Sequence, residues 1–175
     1  MGGEVERIHL IVQQLLEFAK PMPPKLTPLQ IPRVLEETLE LLNSELLARQ
    51  VQLERRYAAT PPILGDPQQL KQVFLNLLLN SLQALNGQGR LEVATSQQGG
   101  ELIVTIQDNG TGIAPEALPH IFEPFFSTKP TGTGLGLAIV HSIIQEHGGR
   151  IGVESNVNRG TTVKLHLPIA ISLAA

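Results

Sequence analysis

Apolar residues recur at two spacings along this chain, and the changes from one spacing to the other outline its fold. Steps of three and four residues predict helices over 31–49, from Asp66 to about Asn86, and from Leu135 to His147. Apolar residues at every second position predict strands over 51–57, 90–97, 101–108, 150–155 and 161–167. Pairs of strands separated by helices indicate an α+β fold, a two-layer sandwich with helices on one face of a mixed sheet.

Cap and turn residues mark several ends of these elements. Asp66 is a typical N-cap, Pro67 suits the first helical position, and Gln69 completes a predicted capping box. The glycine pair at 99–100 predicts a tight hairpin between two strands. The pair at 148–149 is typical of a helix C-terminus, and we expect it to end the last helix.

The first twenty residues differ from the rest of the chain because their apolar stripe is narrow. It consists of Val5, Ile8, Val12, Leu15 and Ala19, the seam of a coiled coil or helix bundle. A lone helix of this length is marginally stable in water, and prolines from Pro21 onward end it. We therefore expect one bundle helix within 1–20, a linker over 21–24 and a separate domain over 25–175.

Composition then narrows the class of protein. The chain has 175 residues, of which 42% are hydrophobic, so it has enough apolar material for a core. It has no cysteine, which excludes disulfides, thiolate metal sites and cysteine nucleophiles. The net charge of −3 argues against nucleic-acid binding. The start lacks a signal-peptide layout, so we expect a cytoplasmic domain, and the sequence leaves open whether its parent protein is anchored in a membrane.

One polar stripe follows the otherwise apolar helix that begins at Asp66. Its members are Gln69, Gln72, Asn76, Asn80 and Gln83. A buried amide is costly unless it is paired, so the stripe either meets solvent at a helix edge or lines a polar cavity. In a cavity, neutral amide oxygens one turn apart suit a magnesium ion that also takes phosphate oxygens as ligands.

A carboxyl and a hydroxyl group are predicted to point toward the core at the ends of two strands. Asp108 continues an apolar strand face, and Thr161 begins another. One interpretation is an ordinary Asn-Gly turn and a strand-end threonine. The other is a grip on adenine, whose exocyclic amine donates to Asp108, whereas guanine presents a carbonyl at that position.

Two further segments suit phosphate binding and closure of a loop. Glycines 132, 134 and 136 open the last predicted helix, where free N–H groups favour an anion, although a tight turn explains them equally well. Three of the six aromatic residues lie at Phe122, Phe125 and Phe126, in a loop that suits a lid or a segment tucked onto the core. Lys129 is placed either to reach a terminal phosphate or to remain in solvent.

Taken together, these segments resemble the ATP-binding domain of sensor histidine kinases, in the superfamily shared with gyrase B, heat-shock chaperone and MutL ATPases. Five motifs occur in the family's order and cover nearly all of residues 25–168. They are an N box at 76–80, a first glycine box at 108–112, an F box at 122–126, a second glycine box at 132–137 and a last box at 160–162. The resemblance implies the Bergerat-type ATP-binding fold.

The resemblance also implies roles for individual residues. Asn80 is expected to ligate Mg²⁺, Asp108 to accept from the adenine amine, and Thr161 to support the base through water. Residues 110–132 are expected to form the ATP lid. The implied catalytic residues are Asn76, Asn80 and Lys129. The remaining nucleotide contacts are expected from Gln83, Gly110, Gly112, Ile113, Phe122, Lys129, Gly132, Thr133, Gly134, Leu135, Gly136 and Leu137.

Residues 4–19, with the ending at 17–21, resemble the second helix of the kinase dimerisation and phosphoacceptor domain. The acceptor histidine belongs on the first helix, so we expect it outside this chain, with the parent kinase a homodimer that serves a cognate response regulator. None of the five histidines stands in an acceptor context. The predicted function is transfer of the γ-phosphate of Mg-ATP to a histidine. The alternatives are an ATP hydrolase, which Asn76 disfavours because the hydrolases carry glutamate there, and a non-catalytic nucleotide-binding module.

Overall fold

The computed structural model describes residues 23–85, 87–129 and 132–169. The predicted bundle helix and the first half of the predicted linker lie outside these residues. Within them, no helix has both the length and the apolar character needed to cross a membrane.

A five-stranded mixed sheet forms one layer of the domain. Its strands, in spatial order, are β2 (Gln52–Tyr57), β4 (Arg90–Gln98), β5 (Glu101–Asp108), β7 (Gly160–Pro168) and β6 (Arg150–Asn156). The β2–β4 pair is parallel and the other three pairs are antiparallel. Two short strands, β1 (Thr27–Leu29) and β3 (Ile63–Gly65), form a separate antiparallel ribbon.

The helices form the second layer, on one face of the sheet. They are α1 (Ile31–Leu41), α2 (Asn43–Ala48), α3 (Pro67–Ala84) and α4 (Gly136–Glu146), with a 3₁₀ turn at Leu118–His120. Alternate residues of the central strands are buried beneath them, which is the pattern of a sheet covered on one side. The predicted fold class is confirmed.

The observed elements differ most from the predicted ones in three places. The first helix is interrupted at Leu42, yet Leu42 and Leu46 are both buried, so the apolar spacing continues across the break and could not reveal it. Helix α3 ends at Ala84, two residues early. The ribbon of β1 and β3 was not predicted because strands of three residues are too short to show alternation.

The N-cap of α3 connects three parts of the chain. Asp66 Oδ1 accepts from the N–H groups of Gln68 and Gln69, and Oδ2 accepts from the N–H of Lys25 at 2.8 Å. The predicted capping box is wrong, because the Asp66 N–H donates to His147 Nε2 at 3.0 Å. His147, just after α4, in turn donates from Nδ1 to the Ile143 carbonyl at 2.7 Å. The start of α3 is thereby held against the end of α4.

The two predicted glycine pairs have the expected conformations. Gly99 and Gly100 both have positive φ, and they close the hairpin between β4 and β5. Gly148 has a φ of +68°, and the Gly149 N–H donates to the Ile144 carbonyl at 2.9 Å, which ends α4.

Candidate functional site

A cavity of about 620 Å³ lies between α3, the ends of β5 and β7, and the loop that precedes α4. This volume suits a small organic ligand. Most of the predicted site residues line it: Asn76, Asn80, Gln83, Asp108, Gly112, Ile113, Lys129, Gly132, Thr133, Gly134, Gly136, Leu137 and Thr161. Residues far apart in the sequence therefore meet around one space.

Three predicted residues are not part of the cavity lining. Gly110 lies against the end of α3, where a Cβ would approach the Ala84 carbonyl oxygen to 2.5 Å. Leu135 is buried in the hydrophobic core. Phe122 packs on the ring of His141, with the centroids 5.2 Å apart. These residues pack beside the cavity, and their contact with a ligand stays a prediction.

Asp108 forms the polar floor of the cavity at the end of β5. It is only 5% exposed, and its Oδ1 accepts from the Gly110 N–H at 2.9 Å. Burial raises the pKa of Asp108. The N–H of Gly110, the Ser81 hydroxyl, the N–H of Thr161 and the charge of Lys129 oppose that rise. Sequence reasoning missed Ser81, because a lone serine on an apolar helix gives no signal.

The sheet register places Thr161 directly beside Asp108, and Ser155 directly beside Thr161. Thr161 is 9% exposed, and its Oγ1 lies 2.9 Å from Ser155 Oγ. Ser155 is the second residue that sequence reasoning missed. Ser155 lies on the edge strand β6, where half-buried and exposed residues alternate and none is fully buried. The sequence pattern of this strand therefore indicates only weakly which of its residues face the cavity.

The polar stripe of α3 is divided between two environments. Asn76, Asn80 and Gln83 line the cavity, whereas Gln69 and Gln72 lie outside its lining, so only the C-terminal part of the stripe matches the prediction. At that part the Lys129 ammonium group is 2.7 Å from Gln83 Oε1 and 3.4 Å from Asn80 Oδ1. Two amide oxygens thus already face a positive charge, and this donor set fits a hard cation that keeps waters and phosphate oxygens as its other ligands.

Two glycines are required by the backbone around the cavity. Gly112 and Gly134 each have a φ of +69°. A Cβ on Gly112 would collide with the Asn156 carbonyl, and one on Gly134 would collide with the backbone of Phe125. Each glycine therefore allows a close contact at one end of the predicted lid.

The large apolar residues of the predicted lid are unequally buried. Ile121 is 7% exposed and anchors the loop, while Phe125 is 65% exposed and has a φ of +68°. The Phe125 N–H donates to the Gly134 carbonyl at 3.0 Å, and the Phe126 ring packs on that of His120. The loop thus combines an apolar anchor with a strained, solvent-facing phenylalanine close to the glycines.

Comparison of the sequence with known protein families identifies the family to which this domain belongs. Residues 65–171 match the family described as "Histidine kinase-, DNA gyrase B-, and HSP90-like ATPase". The chain belongs to this family. The matched segment contains every element that contributes to the cavity, from the N-cap of α3 to the end of β7. It is therefore an ATP-binding domain, as the motif resemblance implied.

Curated relatives specify the branch of the family. Sensor histidine kinase ZraS of Escherichia coli (strain K12) is 39% identical over 98% of the chain, which spans 37% of its length. Sporulation kinase C of Bacillus subtilis (strain 168) is 33% identical over 95% of the chain, which spans 40% of its length. The similarity is thus to the catalytic part of sensor histidine kinases, and the chain spans well under half of either relative.

Solved structures agree with this placement. The catalytic domain of histidine kinase ThkA matches with a TM-score of 0.76 and 28% identity, over 82% of this chain and 95% of that one. Full-length ShkA in complex with AMPPNP matches with a TM-score of 0.82 and 30% identity, over 91% of this chain and 36% of that one. ThkA in complex with the response regulator TrrA matches with a TM-score of 0.82 and 26% identity, over 95% and 48%.

Proposed function

We propose that this domain binds Mg-ATP and transfers its γ-phosphate to a histidine on a phosphoacceptor helix. The observation that carries the proposal is the convergence of three kinds of polar group on one cavity. A buried carboxylate forms the floor of the cavity. Amide oxygens that face the Lys129 ammonium group lie on one wall, and glycines that precede a helix N-terminus lie on another. These groups suit, respectively, a base, a metal with phosphates, and the phosphates themselves.

Recognition of adenine is assigned to Asp108, with support from Thr161. Asp108 accepts hydrogen bonds from its protein neighbours, so its carboxyl group is held in place before a ligand arrives. An exocyclic amine supplies the further donor that a buried carboxylate favours. A ligand carbonyl at the same position would place its oxygen against the Asp108 carboxyl oxygen, with no donor between the two.

The phosphate side is assigned to Asn80, Gln83 and Lys129, with the start of α4. Asn80 and Gln83 would hold Mg²⁺, which supplies positive charge to neutralise the phosphate oxygens. Lys129 would then release the two amide oxygens and turn toward the terminal phosphate. The N-terminal N–H groups of α4, from Gly136 onward, are placed to favour the anion.

Asn76 favours transfer over hydrolysis. Its side-chain oxygen is 3.7 Å from the position of a Cβ on Gly136, so it lies next to the start of α4. An amide cannot accept the proton of an attacking water, and general-base catalysis of hydrolysis needs a group that can. A neutral histidine is already a nucleophile near pH 7 and needs no such base.

The partners follow from the relatives and remain part of the proposal. ThkA forms a complex with a response regulator, and the curated relatives are sensor kinases. We infer that the phosphorylated histidine of the parent kinase serves a cognate response regulator, and that the parent kinase is a homodimer. We place the domain in the cytoplasm, where ATP is available. Residues 1–20 are assigned to the second helix of the dimerisation domain, 21–24 to a linker and 25–175 to the ATP-binding domain.

The test uses γ-labelled ATP and a separate polypeptide that carries an acceptor helix pair. Label on the acceptor that is acid-labile and base-stable is the expected result, at a low rate because no tether raises the local concentration. None of the four histidines that the structure describes lines the cavity, and none of the five has the sequence context of an acceptor, so we expect the chain alone to stay unlabelled. ATP binding without transfer to any acceptor would instead support the non-catalytic module, and rapid release of inorganic phosphate would support the hydrolase.

A further inference from the structure

Ser155 is the centre of a hydrogen-bond cluster to which the resemblance assigned no role. Its Oγ lies 2.8 Å from the Ile113 N–H, 3.0 Å from the Gly160 carbonyl oxygen and 2.9 Å from Thr161 Oγ1. In the sheet it stands in one row with Thr161 and Asp108, on the face that forms the cavity floor. The side chain thus joins the start of the predicted lid to the last of the predicted motifs.

Counting hydrogens assigns a direction to each of these bonds. A serine hydroxyl has one proton and two lone pairs. The Gly160 carbonyl can only accept, so Ser155 spends its proton there, and the Ile113 N–H occupies one lone pair. The contact with Thr161 is then possible only if Thr161 donates its own proton to the remaining lone pair.

The consequence concerns what Thr161 offers to a ligand. With its proton directed at Ser155, the Thr161 hydroxyl presents only lone pairs to the cavity, which it lines beside Asp108. Two neighbouring acceptors then face the base, and both call for a donor from the ligand or from a water bound to it. A free threonine hydroxyl could rotate and donate to a carbonyl as readily as accept from an amine.

The position of Ser155 is itself well fixed. The Asn158 N–H donates to the Thr111 carbonyl at 2.8 Å, so a second bond joins the turn between β6 and β7 to the start of the lid. The tight contact between Gly112 and Asn156 holds the same two segments together. The serine therefore lies in a local frame that other contacts maintain, and its removal should alter the hydroxyl network more than the backbone.

We propose that Ser155 is a positioning residue that makes the Thr161 hydroxyl an acceptor and thereby increases the preference for an amine over a carbonyl at position 6 of the purine. The proposal rests on the proposed binding of ATP at Asp108. Ser155 itself acts through Thr161. Its contribution should appear as a ratio of affinities between two nucleotides, because a general loosening of the site would weaken both alike.

The experiment measures dissociation constants for ATP and ITP by calorimetry in the presence of Mg²⁺. ITP has a carbonyl at position 6 and a proton on N1, and it lacks the 2-amine of guanine, so the pair changes only the edge of the base that Asp108 and Thr161 are proposed to face. In Ser155→Ala the dissociation constant for ITP divided by that for ATP should fall about three- to tenfold, which is the effect expected from losing one hydrogen bond. Ser96→Ala, on an exposed position of β4, is the matched control and should keep the wild-type ratio.

A double-mutant cycle distinguishes action through Thr161 from a merely structural effect. Thr161→Val should also lower the ITP-to-ATP ratio of dissociation constants. The double variant with Ser155→Ala should have the same ratio as Thr161→Val alone. Ser155→Thr, which retains a hydroxyl, should restore most of the preference, and it provides a second variant if the alanine protein does not fold. The proposal is overturned if Ser155→Ala weakens ATP and ITP equally, or if the two substitutions act independently. Failure of the wild type to prefer ATP would instead refute the proposed function.

Discussion

We assign the base to one side of the cavity (the base side) and the phosphates to the other (the phosphate side), and the two sides differ in what holds their polar atoms in place. On the base side, Asp108, Thr161 and Ser155 stand on three neighbouring strands whose backbone register fixes their spacing. On the phosphate side, the long Lys129 side chain crosses from the lid to amide oxygens on α3. The first arrangement exists before the ligand binds, whereas the second must change to admit it.

If the base and the phosphates bind as proposed, this difference would let one domain combine selectivity with release. A buried floor of hydrogen-bond acceptors would discriminate between bases, because a wrong group leaves a buried atom unpaired. In the proposed lid, Gly112, Gly134 and the exposed Phe125 would allow opening and closing. Substitutions on the base side should therefore change affinity, and those on the phosphate side should change transfer and motion.

The largest effect is expected from Asp108→Asn, which tests the base side directly. The amide offers a donor or a misplaced acceptor to the adenine amine, so ATP binding should weaken by about 2–4 kcal/mol or be lost. Calorimetry with ATP measures the change. Gln107→Asn, at an exposed neighbouring position, is the control. Unchanged ATP affinity in Asp108→Asn would show that Asp108 does not bind the base.

Asn80→Ala tests the phosphate side and should separate transfer from binding. Asn80 faces the cation position and not the base, so phosphotransfer should fall about a hundredfold while ADP affinity changes little. Transfer rates and ADP dissociation constants are compared in the same preparation. Gln68→Ala, exposed at the start of the same helix, is the control. Equal losses of transfer and ADP binding would contradict the separation of the two sides.

Hydrogen exchange compares the motion of the two sides. Amides of residues 110–129 outside regular structure should exchange quickly without nucleotide and at least about tenfold more slowly with an ATP analogue. Amides of β5 and β7 should be protected in both states, because they lie in the middle of the sheet. Equal protection of the loop with and without nucleotide would show that it is not a lid.

The pH dependence of stability tests whether the floor carries a buried charge. Burial raises the pKa of Asp108 above its usual 3.8, so the folded state binds this proton more tightly than the unfolded state does. The contribution of Asp108 to the unfolding free energy of the wild type should fall as pH rises from 3.8 through the raised pKa, and then level off. The unfolding free energy of Asp108→Asn minus that of wild type should therefore increase over that interval, as measured by urea unfolding. A difference that does not vary with pH would show that the carboxyl group titrates normally.

The smallest effect is expected from Asp66→Ala, far from both sides of the cavity. Although burial opposes it, the backbone donors of Lys25, Gln69 and Gln68 lower the pKa of Asp66, with help from His147. Loss of this cap should reduce the unfolding free energy by about 1 kcal/mol and leave the ATP dissociation constant unchanged. The contribution of Asp66 should be present at neutral pH and lost as pH falls through the lowered pKa. A change in ATP affinity would show that the start of α3 is coupled to the site.

Sequence periodicity predicted the elements that are long enough to repeat. The strands β4, β5 and β7 and the helices α3 and α4 follow from spacing and cap residues, since these record local geometry. The motifs identified most of the cavity lining, because glycines and buried polar residues are conspicuous in an apolar context. Asp108 was assigned correctly to the buried face from alternation alone.

By itself the sequence determined which residues are chemically capable of binding and which face of each strand they occupy, because periodicity is a property of the local backbone. Tertiary structure alone decided which polar atoms meet. It brought Ser81 and Ser155 to the floor, placed Lys129 on the amide oxygens, and left Gln69 and Gln72 outside the lining. It also gave the Asp66 N–H to His147, from which it is separated by 81 positions. Such pairings depend on strand order and register between distant segments, and no local pattern of residues encodes them.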